Sequence, residues 1–269
     1  MQQLIVGDIE LTLLLDAHTS IEGNKAFYPA QPAQWGPFFG MTENGQVPNV
    51  VRTLLIRKGD ELTLVDTGFG EEEPGHDRGT TLDGLGEMGI KPRDISRVIL
   101  THAHGDHCLG NTVKRSGRWI PVFPMAKHVI QKAEVAEMAN SQTEVWATRF
   151  APLADRDQLE LVDGCHRISD SLELWPTPGH TIGHQAVVIR SKVSVAAFVG
   201  DLAVFASSFV HPNWGPDWAW SRTEAAQTRS RVASWAVAND ALLIVPHDPD
   251  KPCVRVKNSD AGIAVVPVL

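Results

Sequence analysis

Apolar residues along this chain come mostly in short runs separated by Gly, Pro, Asp and Asn, and only a few stretches keep a helical period. Short apolar runs bounded by turn residues read as buried strands. Residues 4–15 alternate loosely and then turn apolar, which predicts one or two strands. VVRTLLIRKG (50–59) and LTLVDTG (62–68) predict two more, joined by a turn at Gly59–Asp60, with Asp66 at the exit of the second. RVIL (97–100) is a short buried strand that runs into THAHGDH. Further strands are expected at 119–124, 159–162 and 172–175, in QAVVIRS and VSVAAFVGD around Lys192, at 241–246, and in the tail IAVVPV. Helical spacing appears at 80–89, 125–146 and 221–239. The last is the best marked: Ser221 is a candidate N-cap, Glu224 completes a capping box, and Ala225, Ala226, Val232, Trp235 and Ala236 form an apolar face.

Two stretches keep no period. Residues 20–49 hold Trp35, Phe38 and Phe39 among Gly, Pro and Asn; residues 205–220 hold Phe205, Phe209, His211, Trp214, Trp218 and Trp220. Both read as long loops, and loops of such length in compact domains are often functional. Each half of the chain otherwise repeats one order: paired strands, a helix, then a strand whose end carries metal-type residues. The expectation is an α/β fold in a single domain over 1–269, with two similar sheets facing each other and helices outside.

Composition narrows the function classes. Hydrophobic residues make up 43% and charged residues 21% of 269, as in an ordinary folded domain. No stretch approaches the ~20 apolar residues of a membrane span, so no membrane partner is expected. A net charge of -8 lacks the basic stripe of a nucleic-acid binder, which leaves a small-molecule substrate as the expected partner. Cys108, Cys165 and Cys253 are scattered and form no CxxC pair, against both a disulfide framework and a zinc–thiolate site. The start, with Asp8 and Glu10 and no basic segment, reads as a strand pair and not as a secretory signal, so a cytoplasmic location is expected; a leader removed earlier is compatible with it. A homodimer through the first long loop is a further expectation.

The chemistry concentrates in THAHGDH: His102, His104, Asp106 and His107 lie within six positions. His102 and His104 are two apart, so in an extended segment they point the same way. The turn eased by Gly105 then carries Asp106 and His107 toward a second point. Nitrogen and oxygen donors so arranged suit two adjacent divalent ions; zinc fits best, and manganese, iron and cobalt are compatible. Three more residues stand at the exits of apolar segments: His180 after LELWPTPG, Asp201 after VSVAAFVG, and His247 after ALLIVP. The two oxygens of Asp201 could bridge two cations. Asp66 could accept a proton from the far nitrogen of a ligand histidine and hold its ring.

The pieces LTLVDTG, THAHGDH, PTPGHTIGH, FVGD and VPH resemble the metallo-β-lactamase superfamily in type and order, and they spread over nearly the whole chain. The resemblance implies an αββα sandwich of two mixed sheets with helices on the outer faces. It implies that His102, His104 and His180 hold one metal, that Asp106, His107 and His247 hold the second, and that Asp201 bridges them. Asp66 matches the family's aspartate beside the ligands. It also implies a hydrolase in which a metal-activated hydroxide attacks a carbonyl, with Asp106 or Asp201 orienting the nucleophile or carrying its proton. Within the superfamily, ADRDQLELVDG and the 221–247 segment are most similar to the lactonase and methyl parathion hydrolase-like group. A small lactone or ester is therefore the expected substrate, with phosphotriester cleavage and phosphodiester or nuclease activity as alternatives. Several lactonases of this kind place a tyrosine between the bridging aspartate and the last histidine. Here that interval has none, and the chain's one tyrosine is Tyr28. The aromatic residues of the two loops, with His211, are the candidate substrate pocket.

Overall fold

The computed structural model describes residues 1–39, 44–71, 77–260 and 262–268. Positions 40–43 of the first long loop lie outside the described residues. The chain divides into two compact units, Met1–Ala17 with Val51–Arg167 and His18–Val50 with Ile168–Leu269.

The first sheet is built from β1 (Gln2–Val6), β2 (Ile9–Glu22), β3 (Gln46–Lys58), β4 (Glu61–Val65), β5 (Arg97–Ile99), β8 (Lys127–Gln131) and β9 (Leu159–Val162), side by side in that order. A separate hairpin, β6 (Thr112–Arg115) and β7 (Arg118–Pro121), stands between β5 and β8 in the chain. β1 pairs antiparallel with β2, and β3 with β4. From β4 through β5 and β8 to β9 the pairing is parallel. Parallel strands are usually covered on both faces, and Leu64, Val98, Ile99, Val129 and Ile130 are fully buried. The core of this unit gathers Leu55, Leu100, Phe123 and Phe150 with Leu85 from α1 (Thr81–Glu87) and Met138 from α2 (Lys132–Ser141).

The helical reading of 125–146 needs correction at its start. Lys127–Gln131 is strand β8, and α2 begins at Lys132. His128, Val129 and Ile130 are buried in succession, which suits a strand between two parallel neighbours and not one face of a helix.

The second sheet runs β10 (His166–Arg167), β11 (Leu172–Pro176), β12 (Gln185–Ser191), β13 (Ser194–Phe198), β14 (Leu242–Ile244), β15 (Cys253–Ser259) and β16 (Gly262–Pro267). β13 and β14 pair in parallel, with α3 (Arg222–Asn239) between them in the chain. Val188, Ala197, Leu243 and Val254 pack with Val232, Ala233 and Ala236 of α3. β15 was not expected; its polar residues Arg255, Lys257 and Asn258 mask a strand that pairs on both edges.

The first long loop is more ordered than its sequence suggests. β2 extends to Glu22, and helical turns form at Gly23–Ala26 and Pro32–Trp35. Phe27, Trp35, Val47, Val204 and Phe205 make a second core in this unit, with Phe39 and Trp214 against it. The rings stack closely: Phe27 lies 5.4 Å from Trp35 and 4.8 Å from Phe205. Gly23 has no side chain because the Trp35 indole occupies the place a Cβ would take. Among the described residues no helix is long and apolar enough to cross a membrane.

Candidate metal centre

In the first unit, β4 and β5 end side by side and deliver Asp66 and Thr101 to one point. Asp66 adopts a left-handed backbone, φ 60°, immediately after β4. Non-glycine residues rarely pay for that conformation outside constrained sites. Its carboxylate accepts the Thr101 peptide N–H at 2.8 Å and faces the Thr101 hydroxyl at 2.9 Å. It also faces His107 Nδ1 at 2.8 Å, with both groups buried. The Thr101 hydroxyl lies 3.1 Å from His102 Nδ1.

These contacts set tautomers. An ionised carboxylate only accepts, so His107 carries its proton on Nδ1. Thr101 donates its single proton to Asp66 and accepts from His102 Nδ1. The Nε2 atoms of His102 and His107 are then both lone-pair donors. His102 Nε2 faces His104 Nδ1 at 3.0 Å, and His107 Nε2 faces Asp106 Oδ2 at 3.5 Å. The segment therefore presents two pairs of candidate ligands, His102 with His104 and Asp106 with His107. The second pair rides on the short helical turn Gly105–Cys108. The Ala103 peptide N–H, between His102 and His104, is held by buried Glu134 at 2.9 Å. Burial pushes the Cys108 thiol up, so it stays protonated and is not a thiolate ligand.

The second unit repeats the doubling around one carboxylate. Asp201 leaves β13 in a helical turn, with Oδ2 3.2 Å from His180 Nε2 and Oδ1 2.8 Å from His247 Nε2. His247 Nδ1 lies 2.7 Å from the Val50 carbonyl and donates to it. Its Nε2 is then an acceptor set against a carboxylate oxygen, an arrangement relieved by a cation between them. His180 sits in a turn fastened to the start of α3. Trp220 N–H donates to the His180 carbonyl and Ser221 N–H to the Gly179 carbonyl, each at 2.9 Å. Gly179 has φ 138° and meets Ala225 of α3 where a Cβ would stand, so only glycine fits.

His184, four residues after His180, has a defined place. It is buried, with Nδ1 2.8 Å from the Thr177 hydroxyl, and its Nε2 accepts the Asp201 peptide N–H at 3.1 Å. Both its ring nitrogens meet protein groups, and it holds the backbone of Asp201. Asp248, directly after His247, accepts the Ala206 N–H at 2.9 Å and the Lys251 N–H at 2.8 Å. Thr101, Glu134 and Asp248 escaped the sequence reading because each looks like an ordinary strand, helix or turn residue until its partner is known.

The aromatic residues of the two loops separate into groups. Trp35, Phe205 and Phe209 are 0–2% exposed and serve the cores of the second unit. Phe39 and Trp214 pack partly against them. His211 stacks on Trp214 at 3.9 Å, and the exposed Phe38 meets both rings edge-on. Partial burial lowers the His211 imidazole below its usual range. Trp218 and Trp220 are 44% and 51% exposed.

The sequence signature of the Metallo-beta-lactamase superfamily matches residues 47–254. The chain belongs to that superfamily and has its αββα fold, two mixed sheets with flanking helices. It is 27% identical over 158 residues to an N-acyl homoserine lactonase of Bacillus sp., covering 52% of this chain and 58% of the lactonase. The chain thus spans less than two thirds of the length of that curated relative. A probable metal-dependent hydrolase from Staphylococcus aureus superimposes with a TM-score of 0.85 at 20% identity, over 98% of both chains. AidC, a dizinc quorum-quenching lactonase in complex with the product N-hexnoyl-L-homoserine, superimposes with a TM-score of 0.82 at 23% identity, over 100% of this chain and 97% of AidC.

Proposed function

We infer that this protein is a hydrolase of small lactones or esters that uses two divalent metal ions, zinc being the ion its donors suit best. The observation that carries this reading is the carboxylate of Asp201, whose two oxygens face two different histidines. One oxygen for each of two cations is how a carboxylate lowers the repulsion between them. The residues that would hold them are His102, His104 and His180 for one ion and Asp106, His107 and His247 for the other, with Asp201 shared between the two. They offer only imidazole and carboxylate donors, in the number that borderline divalent ions take.

Bound there, a metal pair would supply an activated water at neutral pH and polarise the substrate carbonyl. The chain's own residues do the rest. Asp66 and Thr101 hold the His107 and His102 rings in the tautomers that leave Nε2 available. Asp106, half-buried at the edge of its helical turn, would orient the attacking water and pass its proton toward the leaving alkoxide. His184 keeps the Asp201 backbone in register. Trp218 and Trp220 offer exposed apolar surface on the segment joined to the His180 turn, suited to an acyl or aryl group. A net charge of -8 supports a small neutral substrate over a polyanion.

The test is a panel of short- and long-chain homoserine lactones, simple lactones, aryl esters, a phosphotriester and bis(p-nitrophenyl) phosphate, offered to zinc-loaded protein, with products identified by mass. Opening of lactones or esters, with Asp201→Asn at least ~100-fold slower, is the expected result. Turnover confined to the phosphodiester contradicts it. Turnover of the phosphotriester alone moves the protein to the organophosphate-hydrolysing reading.

A further inference from the structure

We propose that Arg229, on α3, is a positioning residue for the metal ligand Asp201 and couples it to the aromatic segment that follows. The inference rests on the two-metal reading and concerns how the chain holds the carboxylate in place.

Arg229 lies on the buried face of α3, between Ala225 and Val232, where an apolar residue is expected; it is 3% exposed. Burial draws its guanidinium down to about 10, still charged at neutral pH. Its bonds go to backbone carbonyls of one segment. Nε donates to Leu202, the residue after Asp201, at 2.7 Å. Nη1 donates to Trp214 at 2.9 Å and also to Pro212. A planar fork can bind carbonyls that are ten and more residues apart; an ammonium on a flexible stem cannot hold them in one geometry. Gly215 completes the fit, because a Cβ there would meet the guanidinium.

A buried charge that bonds only to carbonyls is expensive. It is a costly way to pack a helix, and an aliphatic residue would pack there at less cost. What the arginine gains is order in a segment with little secondary structure of its own. The same helix also fastens the His180 turn: Thr228 donates to the Pro178 carbonyl at 3.1 Å, and Ala225 packs on Gly179. Adjacent residues of α3 thus fix the backbones that carry His180 and Asp201. His184 holds the peptide N–H of Asp201, and Arg229 holds the carbonyl of the next residue. The carboxylate is therefore set from both sides along the chain.

Zinc-loaded wild type, Arg229→Lys, Arg229→Gln, Gly215→Ala and Val256→Ala are challenged with a chromophoric chelator, and thermal unfolding is followed in parallel. Removing groups that orient a ligand typically costs 10–100-fold in metal affinity. Both Arg229 variants are expected to lose zinc at roughly 10–100-fold lower chelator concentration, with lysine giving no rescue. Gly215→Ala should shift the same way by less, since it displaces the guanidinium without removing it. Val256→Ala, a core change in the same unit, should melt earlier yet hold zinc like wild type. Folded Arg229 variants with wild-type zinc affinity overturn the proposal. If those variants do not fold, wild-type affinity in Gly215→Ala overturns it. A wild type that takes up no zinc overturns the two-metal reading, and the proposal with it.

Discussion

At the scale of single residues, the Asp66–Thr101 pair has an influence out of proportion to its size. One carboxylate and one hydroxyl fix the proton positions of His107 and His102, which leaves the Nε2 lone pair of each available. Thr101→Val keeps the shape and removes the hydroxyl. It is expected to weaken zinc binding roughly tenfold, and Asp66→Asn by up to ~100-fold, in competition with a chromophoric chelator. Unchanged affinity in both would mean that the tautomers are set elsewhere. Asp66 was legible in the sequence because a carboxylate at a strand exit is conspicuous. Thr101 was not, since a threonine at the end of a buried strand reads as a strand former.

His128 makes a second prediction at this scale. Burial in β8 draws its imidazole down to about 4. The unfolded chain protonates this residue below about pH 6.5, while the folded chain resists until about pH 4. The folded-state pKa is depressed, so the stabilisation is fully present above pH 6.5 and is lost as the pH falls toward 4. The loss amounts to roughly 3 kcal/mol at most, at ~1.4 kcal/mol per unit. His128→Phe should therefore show a shallower decline in urea stability than wild type between pH 6.5 and 4, both measured without metal. Parallel declines would remove His128 from the account.

At the scale of elements, α3 carries the most consequence. Ser221 caps it by accepting the Glu224 N–H at 3.3 Å, and Ser221→Ala should cost about 1 kcal/mol by chemical denaturation. The helix was legible from its spacing and cap, but its buried face was only partly so. Ala225, Val232 and Ala236 were expected there, whereas Thr228 and Arg229 take the places given to Ala226 and Trp235, which are half-buried. A pattern of apolar residues cannot reveal an arginine buried against carbonyls. The same blindness affected the aromatic loops. Sequence placed Trp35, Phe205 and Trp220 together as pocket candidates, yet the first two are core and the third is half exposed. Trp35→Ala is expected to cost about 3–5 kcal/mol of stability. Trp220→Ala should leave the melting temperature within a few degrees and raise KM. Equal losses of stability in the two variants would contradict that division.

At the scale of the whole molecule, the sequence reads as two similar halves, each with candidate ligands at strand exits. The boundaries blurred where strands carry charge, as in β15, or where a strand runs straight into a helix, as at Gln131–Lys132. Ligands that bind the folded state stabilise it by mass action. A chelator should accordingly lower the melting temperature of metal-loaded protein, and zinc should restore it. In the proposed function two ions act together in one hydrolytic site. Its most direct test is the rate of lactone or ester hydrolysis by apo-protein as zinc is added in known equivalents per chain. Negligible turnover without metal and a rise that levels at two equivalents are expected. Full activity without metal, or a plateau at one equivalent, would contradict that reading.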